Sequence, residues 1–147
     1  MDDTEIYLRD WFVHYIKHKD LVLRRIQAID NTDQGLKLTM KDRVVDVLVE
    51  IQLTHAIHRL KDGWLYIVTL HNEENTKALA ANWKSFSSNP KLTIFFVNPF
   101  SSQETKWVIM PYTHERICDI SSLEQGFVSL AELVDPITVE ELKRKMR

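Results

Sequence analysis

Glu50 and Gln52 are polar residues two positions apart at the end of the apolar run VVDVLVEIQL. On a β-strand such residues point to the same face about 7 Å apart. A carboxylate able to hold a divalent cation then stands beside an amide able to orient a water. Asp46 shares that face but lies about 13 Å from Glu50, too far to share one ion whose oxygen ligands sit at about 2.0 to 2.6 Å. A second carboxylate has to come from a neighbouring strand.

The preceding segment offers one. Leu36, Leu38 and Met40 alternate with Lys37, Thr39 and Lys41. Beyond Asp42 and Arg43, Val45, Val47, Val49, Ile51 and Leu53 alternate with Val44, Asp46, Leu48, Glu50 and Gln52. Period two on both sides of a short polar break predicts a hairpin. A two-residue turn at Asp42-Arg43 makes the apolar faces coincide. It pairs Lys41 with Val44, Leu36 with Val49, Gly35 with Glu50 and, if the ladder extends that far, Asp33 with Gln52. Asp33 is then diagonal to Glu50 and within reach of a shared ion. Lys37 and Lys41 stand nearby for phosphate.

An acid entering one strand of a hairpin, followed by E-x-Q on the next, resembles the active-site pattern of the PD-(D/E)xK nucleases, the restriction-endonuclease-like fold. The order of elements over residues 4 to 97 resembles that fold too. The resemblance implies Asp33 and Glu50 as ligands of Mg²⁺, with Gln52 positioning the water that attacks a phosphodiester. Asp33, Glu50 and Gln52 are thus the catalytic positions it implies, and nucleic acid the partner. Gln52 replaces the usual lysine and Thr32 the usual proline. A glutamine positions water but brings no charge to a developing anion. The opposing reading is a non-catalytic interaction module, its aromatic helix faces and basic C-terminal helix docking onto a partner protein or a second copy.

The elements that must position these residues follow from periodicity. Leu8, Trp11, Phe12 and Tyr15 mark one face of a helix from about Thr4 to His18, with Asp2, Asp3 and Thr4 available as caps. LVLRRIQAI reads as a strand, with continuation of the helix as the alternative. THAIHRL fits a short helical turn, and WLYIVTL and LTIFFV are apolar strands. Between them Leu79, Trp83 and Phe86 mark one helix, which predicts a parallel βαβ crossover. KWVIM is a further strand. Two C-terminal helices carry capping boxes, Ser121 with Glu124 and Thr138 with Glu141. The expectation is one α/β domain over residues 1 to 147: a mixed central sheet with an N-terminal helix, an antiparallel meander, one crossover and two C-terminal helices.

Other clusters carry alternative chemistry. His14 and His18 have the i, i+4 spacing of zinc-binding helices but lack the glutamate of HExxH, and solvated residues fit them better. His55 and His58 follow the Glu50 strand. His71, Asn72 and Glu73, with Asn98 and Pro99, fall at strand carboxyl ends, where open parallel sheets gather ligands, though they also suit caps and turns. PYTHER packs Tyr112, His114, Glu115 and Arg116 together. The basic candidates for a nucleic-acid patch are Lys17, Lys19, Arg24, Arg25, Lys143, Arg144, Lys145 and Arg147, which read more simply as solvated charge.

Composition narrows the classes. With 147 residues, 44% hydrophobic and 27% charged, the chain is long enough for its own core. Three glycines exclude a phosphate-cradling glycine loop. Cys118 is the only cysteine, so no intramolecular disulfide forms and a reducing compartment is expected. An acidic N-terminus without an apolar core, and no long apolar run, lead to the expectation of a cytoplasmic protein without a membrane span. A net charge of −2 gives no global pull towards nucleic acid.

Overall fold

In a computed structural model spanning Met1–Arg147, described throughout except for the side chains of Ile120, Ser121 and Glu124, Leu8, Phe12 and Ile16 seat helix α1 (Asp3–Leu23) on the sheet. Asp2 caps it by accepting from Glu5 N at 2.9 Å. The helix outruns its expected end at His18, because Leu21, Val22 and Leu23 continue it instead of opening a strand. It stops at Arg24, a left-handed residue with φ 48° and ψ 47°. An L-residue meets a steric cost there. The Asp20 carboxylate offsets it by accepting from Arg25 N at 2.7 Å and Ile26 N at 3.0 Å.

Six strands follow in spatial order identical to chain order: β1 (Ile26–Asn31), β2 (Gly35–Met40), β3 (Val44–Val49), β4 (Leu65–Leu70), β5 (Leu92–Val97) and β6 (Lys106–Ile109). β1, β2 and β3 form the antiparallel meander; β3, β4 and β5 run parallel; β6 returns antiparallel. The β3–β4 crossover is made by a 3-10 helix (Leu53–Arg59), so a second parallel connection joins the expected one. The β4–β5 helix is split at Asn82 into α2 (Glu73–Ala81) and α3 (Trp83–Phe86).

The hairpin register differs from the expected one by two residues. Thr39 pairs with Val44, Lys37 with Asp46 and Gly35 with Leu48, and Met40 N closes a four-residue turn on Arg43 O at 2.8 Å. A two-residue shift keeps every side chain on its face, so the apolar pattern is satisfied by both registers. Gly35 helps settle the choice: a Cβ there would collide with the Val47 carbonyl, so only glycine admits this approach of β2 to β3.

Helices cover both faces. On one, α1 and α6 (Val139–Lys145) pack over Leu36, Leu38, Val45, Val47 and Val49. On the other, Leu48, Leu65, Ile67, Ile94 and Phe96 meet α2, α3 and the 3-10 helix. PYTHER forms α4 (Pro111–Ile117), with proline where its missing N–H costs nothing, giving three C-terminal helices instead of two. Helix α5 (Ile120–Glu132) is capped by Asp119, accepting from Ser122 N at 2.7 Å; the side chains of the expected Ser121–Glu124 box lie outside the described residues. Thr138 caps α6 as expected, with Glu141 N donating to Thr138 Oγ1 at 3.1 Å, and Glu141 answers by accepting from the Thr138 hydroxyl at 3.3 Å. No helix among the described residues is long and apolar enough to cross a membrane.

Candidate functional site

Glu50 stands one residue beyond β3, its N–H still donating to Val68 O at 2.9 Å. The residue is only 3% exposed. Arg59, at the last turn of the 3-10 helix, reaches back to place Nη1 2.5 Å from Glu50 Oε1, its own side chain 43% exposed. Burial pushes the Glu50 carboxyl above the usual carboxylate range; Arg59 pulls it back, the Glu5 carboxylate of α1 adds to the rise and His55 opposes it. Gln52 is half-buried at the start of the 3-10 helix and makes no side-chain capping bond. The end of β3 thus holds a desolvated anion whose ion-pair partner, Arg59, reaches solvent.

Asp33 is handled differently. The observed register moves it from the level of Gln52 to that of Glu50, since Gln34 O accepts from Val49 N at 2.9 Å. The ladder ends there, and Asp33 is an exposed turn residue. It borders a shallow hollow of about 300 Å³ with Asp46 and Lys61, whose own ion pair spans 2.6 Å. Among the described residues no three His, Cys, Asp or Glu side chains are placed to hold a metal ion. The register thus sets Asp33 level with Glu50, while Arg59 supplies the positive charge beside the Glu50 carboxylate. Lys37 lies opposite Asp46, and Lys41 is exposed in the turn.

The carboxyl ends of β4 and β5 are filled by protein. His71 is 3% exposed; its Nδ1 accepts from Trp107 Nε1 at 2.8 Å, which leaves Nε2–H to donate to Ala131 O at 3.0 Å. Burial lowers its pKa, against hydrogen bonds to the Ala131 and Val134 backbone. Its carbonyl accepts from Ile137 N at 2.9 Å, and Asn72 and Asn98 donate to Ile137 O and Asp135 O. These residues lash the α5–α6 connection across the strand ends. Asn72 also caps α2.

Two contributors escaped sequence reasoning. Arg59 lies nine residues beyond Glu50 in a 3-10 turn with no periodic signal. Asn75, 2% exposed, looks like an ordinary helix residue; it accepts from Leu53 N at 2.9 Å and donates to Ile51 O, Thr69 Oγ1 and Leu70 O. It fixes the chain where Glu50 and Gln52 leave the sheet. His14, His18, His55 and His58 are all exposed. The PYTHER cluster is satisfied within its own helix, where the Arg116 guanidinium lies 3.3 Å from the Tyr112 ring centroid. No protein-family model, curated protein or solved structure matches the chain.

Proposed function

We propose that this chain is a nuclease-related α/β domain whose partner is nucleic acid. The observation that carries the reading is Arg59: a half-exposed guanidinium whose only ion-pair partner among the described residues is the buried Glu50, the first residue of the E-x-Q triplet that leads out of β3 into the 3-10 helix. His55, His58 and Lys61 are exposed around it, so the 3-10 helix and its exit present a short basic surface suited to phosphate. Asp33, Glu50 and Gln52 are the positions where a Mg²⁺-dependent cleavage site would have to be built, and in the folded arrangement Arg59 holds the charge such an ion would need. Binding without cleavage is therefore the form of the proposal best supported by the geometry.

Incubation of the protein with single-stranded and duplex DNA and RNA, with Mg²⁺ or Mn²⁺, tests both forms. Binding that weakens as salt rises, and that drops by roughly tenfold in Arg59→Ala/Lys61→Ala, is expected from the loss of two phosphate contacts. Cleavage abolished by Glu50→Ala would establish the catalytic form. Neither binding nor cleavage on any of the four substrates overturns the proposal. The interaction-module reading is favoured by one observation of its own, the exposed apolar end of α1.

A further inference from the structure

Leu21, Val22 and Leu23 are 64%, 89% and 60% exposed, three consecutive large apolar residues at the end of α1. They adjoin β1, an edge strand paired only with β2. Between the helix end and that edge runs an open groove of about 540 Å³, lined by Lys17, Leu21, Arg24, Gln27 and Ile29 among others. Soluble proteins protect exposed edges with lysine, proline, bulges or a covering element. The strand IQAIDN contains neither lysine nor proline, and its one irregularity, between Ile26 and Ala28, leaves Ala28–Asn31 regular. Thr32 N donates to Gly35 O at 3.1 Å, so by the two-residue alternation of an antiparallel ladder the backbone groups of Ile29 and Asn31 face outward.

The charges along this edge identify the occupant. Arg24 and Arg25 precede the strand, while Asp30 and Asp33 lie at its far end; all four are exposed. None forms a salt bridge within the chain among the described residues. A basic-to-acidic strand is complementary to itself when antiparallel. We infer that β1 pairs with β1 of a second copy about a two-fold axis, joining two six-stranded sheets into one. With Ile29 opposite Ile29 of the second copy, the regular Ala28–Asn31 segments meet, and the basic Arg24 and Arg25 before one strand come beside the acidic Asp30 and Asp33 at the far end of the other, each contact occurring twice. The apolar end of α1 is then covered beside the axis. This pairing does not depend on nucleic-acid binding, although Asp33 lies on the side of the candidate site at the end of β3.

Charge reversal tests it, since exposed positions tolerate substitution without unfolding. Light scattering after gel filtration, and sedimentation equilibrium, should show a dimer at roughly 10 to 100 μM. Arg25→Glu alone and Asp33→Arg alone should each raise the dimer Kd by about tenfold or more, because each places like charges together twice. The double variant Arg25→Glu/Asp33→Arg restores opposite signs and should return Kd to within about threefold of the parent. Circular dichroism verifies that each variant is folded. A parent chain that stays monomeric at roughly 100 μM and low salt overturns the inference. So does a dimer indifferent to the single reversals, or a double variant no better than either single one.

Discussion

Two strand ends in this sheet bury a titratable side chain, and they do so by opposite means. At the end of β4, His71 is neutral, with one ring nitrogen accepting from Trp107 and the other donating to Ala131 O, so burial leaves no polar atom of the ring unmatched. At the end of β3, Glu50 is buried with a cation that is itself half in water. A guanidinium that keeps contact with solvent compensates a desolvated carboxylate incompletely. The first arrangement seals the sheet; the second retains a charge at a cost in stability. Function is therefore sought at β3 and architecture at β4.

The largest expected effect tests the architectural end. Trp107 stacks on Phe96 with ring centroids 4.1 Å apart and supplies the donor to His71. Trp107→Ala should cost about 3 to 5 kcal/mol in urea unfolding. A loss below about 1 kcal/mol would mean that the network holds nothing together.

A smaller effect follows from the His71 ring. Its folded pKa lies below the ordinary histidine value of about 6.5, so the unfolded chain binds the extra proton first. Its contribution is fully present above that pH and is lost as pH falls below it, with a slope no steeper than about 1.4 kcal/mol per unit. His71→Gln should flatten this part of the stability–pH curve; an unchanged slope would assign the loss to other groups.

Glu50→Gln, the smallest effect, should have the opposite sign. The folded pKa of Glu50 is raised, so its ionised form destabilises the fold and protonation relieves the penalty as pH falls through that pKa. The substitution should raise Tm near neutral pH by a few degrees, about 1 kcal/mol, and the gain should vanish in acid. A lower Tm at neutral pH would show that the Arg59 pair is net stabilising and would remove the contrast between the two ends.

The alternation of β2 and β3, the apolar runs of β4 and β5 and the stripe of α1 were legible because each is a periodic pattern with one buried face. The hairpin register was not, since a shift of two residues preserves that pattern, and the Gly35 approach that helps decide it is a tertiary contact. LVLRRIQAI contains a helix end, a left-handed residue and a strand start, joined by Asp20 from outside the segment. At the candidate site Glu50 was visible as a polar residue in an apolar run. Its partner was not, because Arg59 arrives through a non-periodic turn. The level of Asp33 follows the same two-residue shift: it stands opposite Glu50 instead of Gln52, in the turn just beyond the β2–β3 ladder.

The identity of spatial and chain order across the six strands also bears on how the molecule is made. Each strand from β2 onward emerges beside a neighbour already synthesised, so no strand has to wait for a partner made after the next strand. β1, made first, and β6, made last, are the two edges of the sheet. Of these β1 is the longer, six residues against four, and so offers the longer row of unpaired backbone groups to an incoming strand.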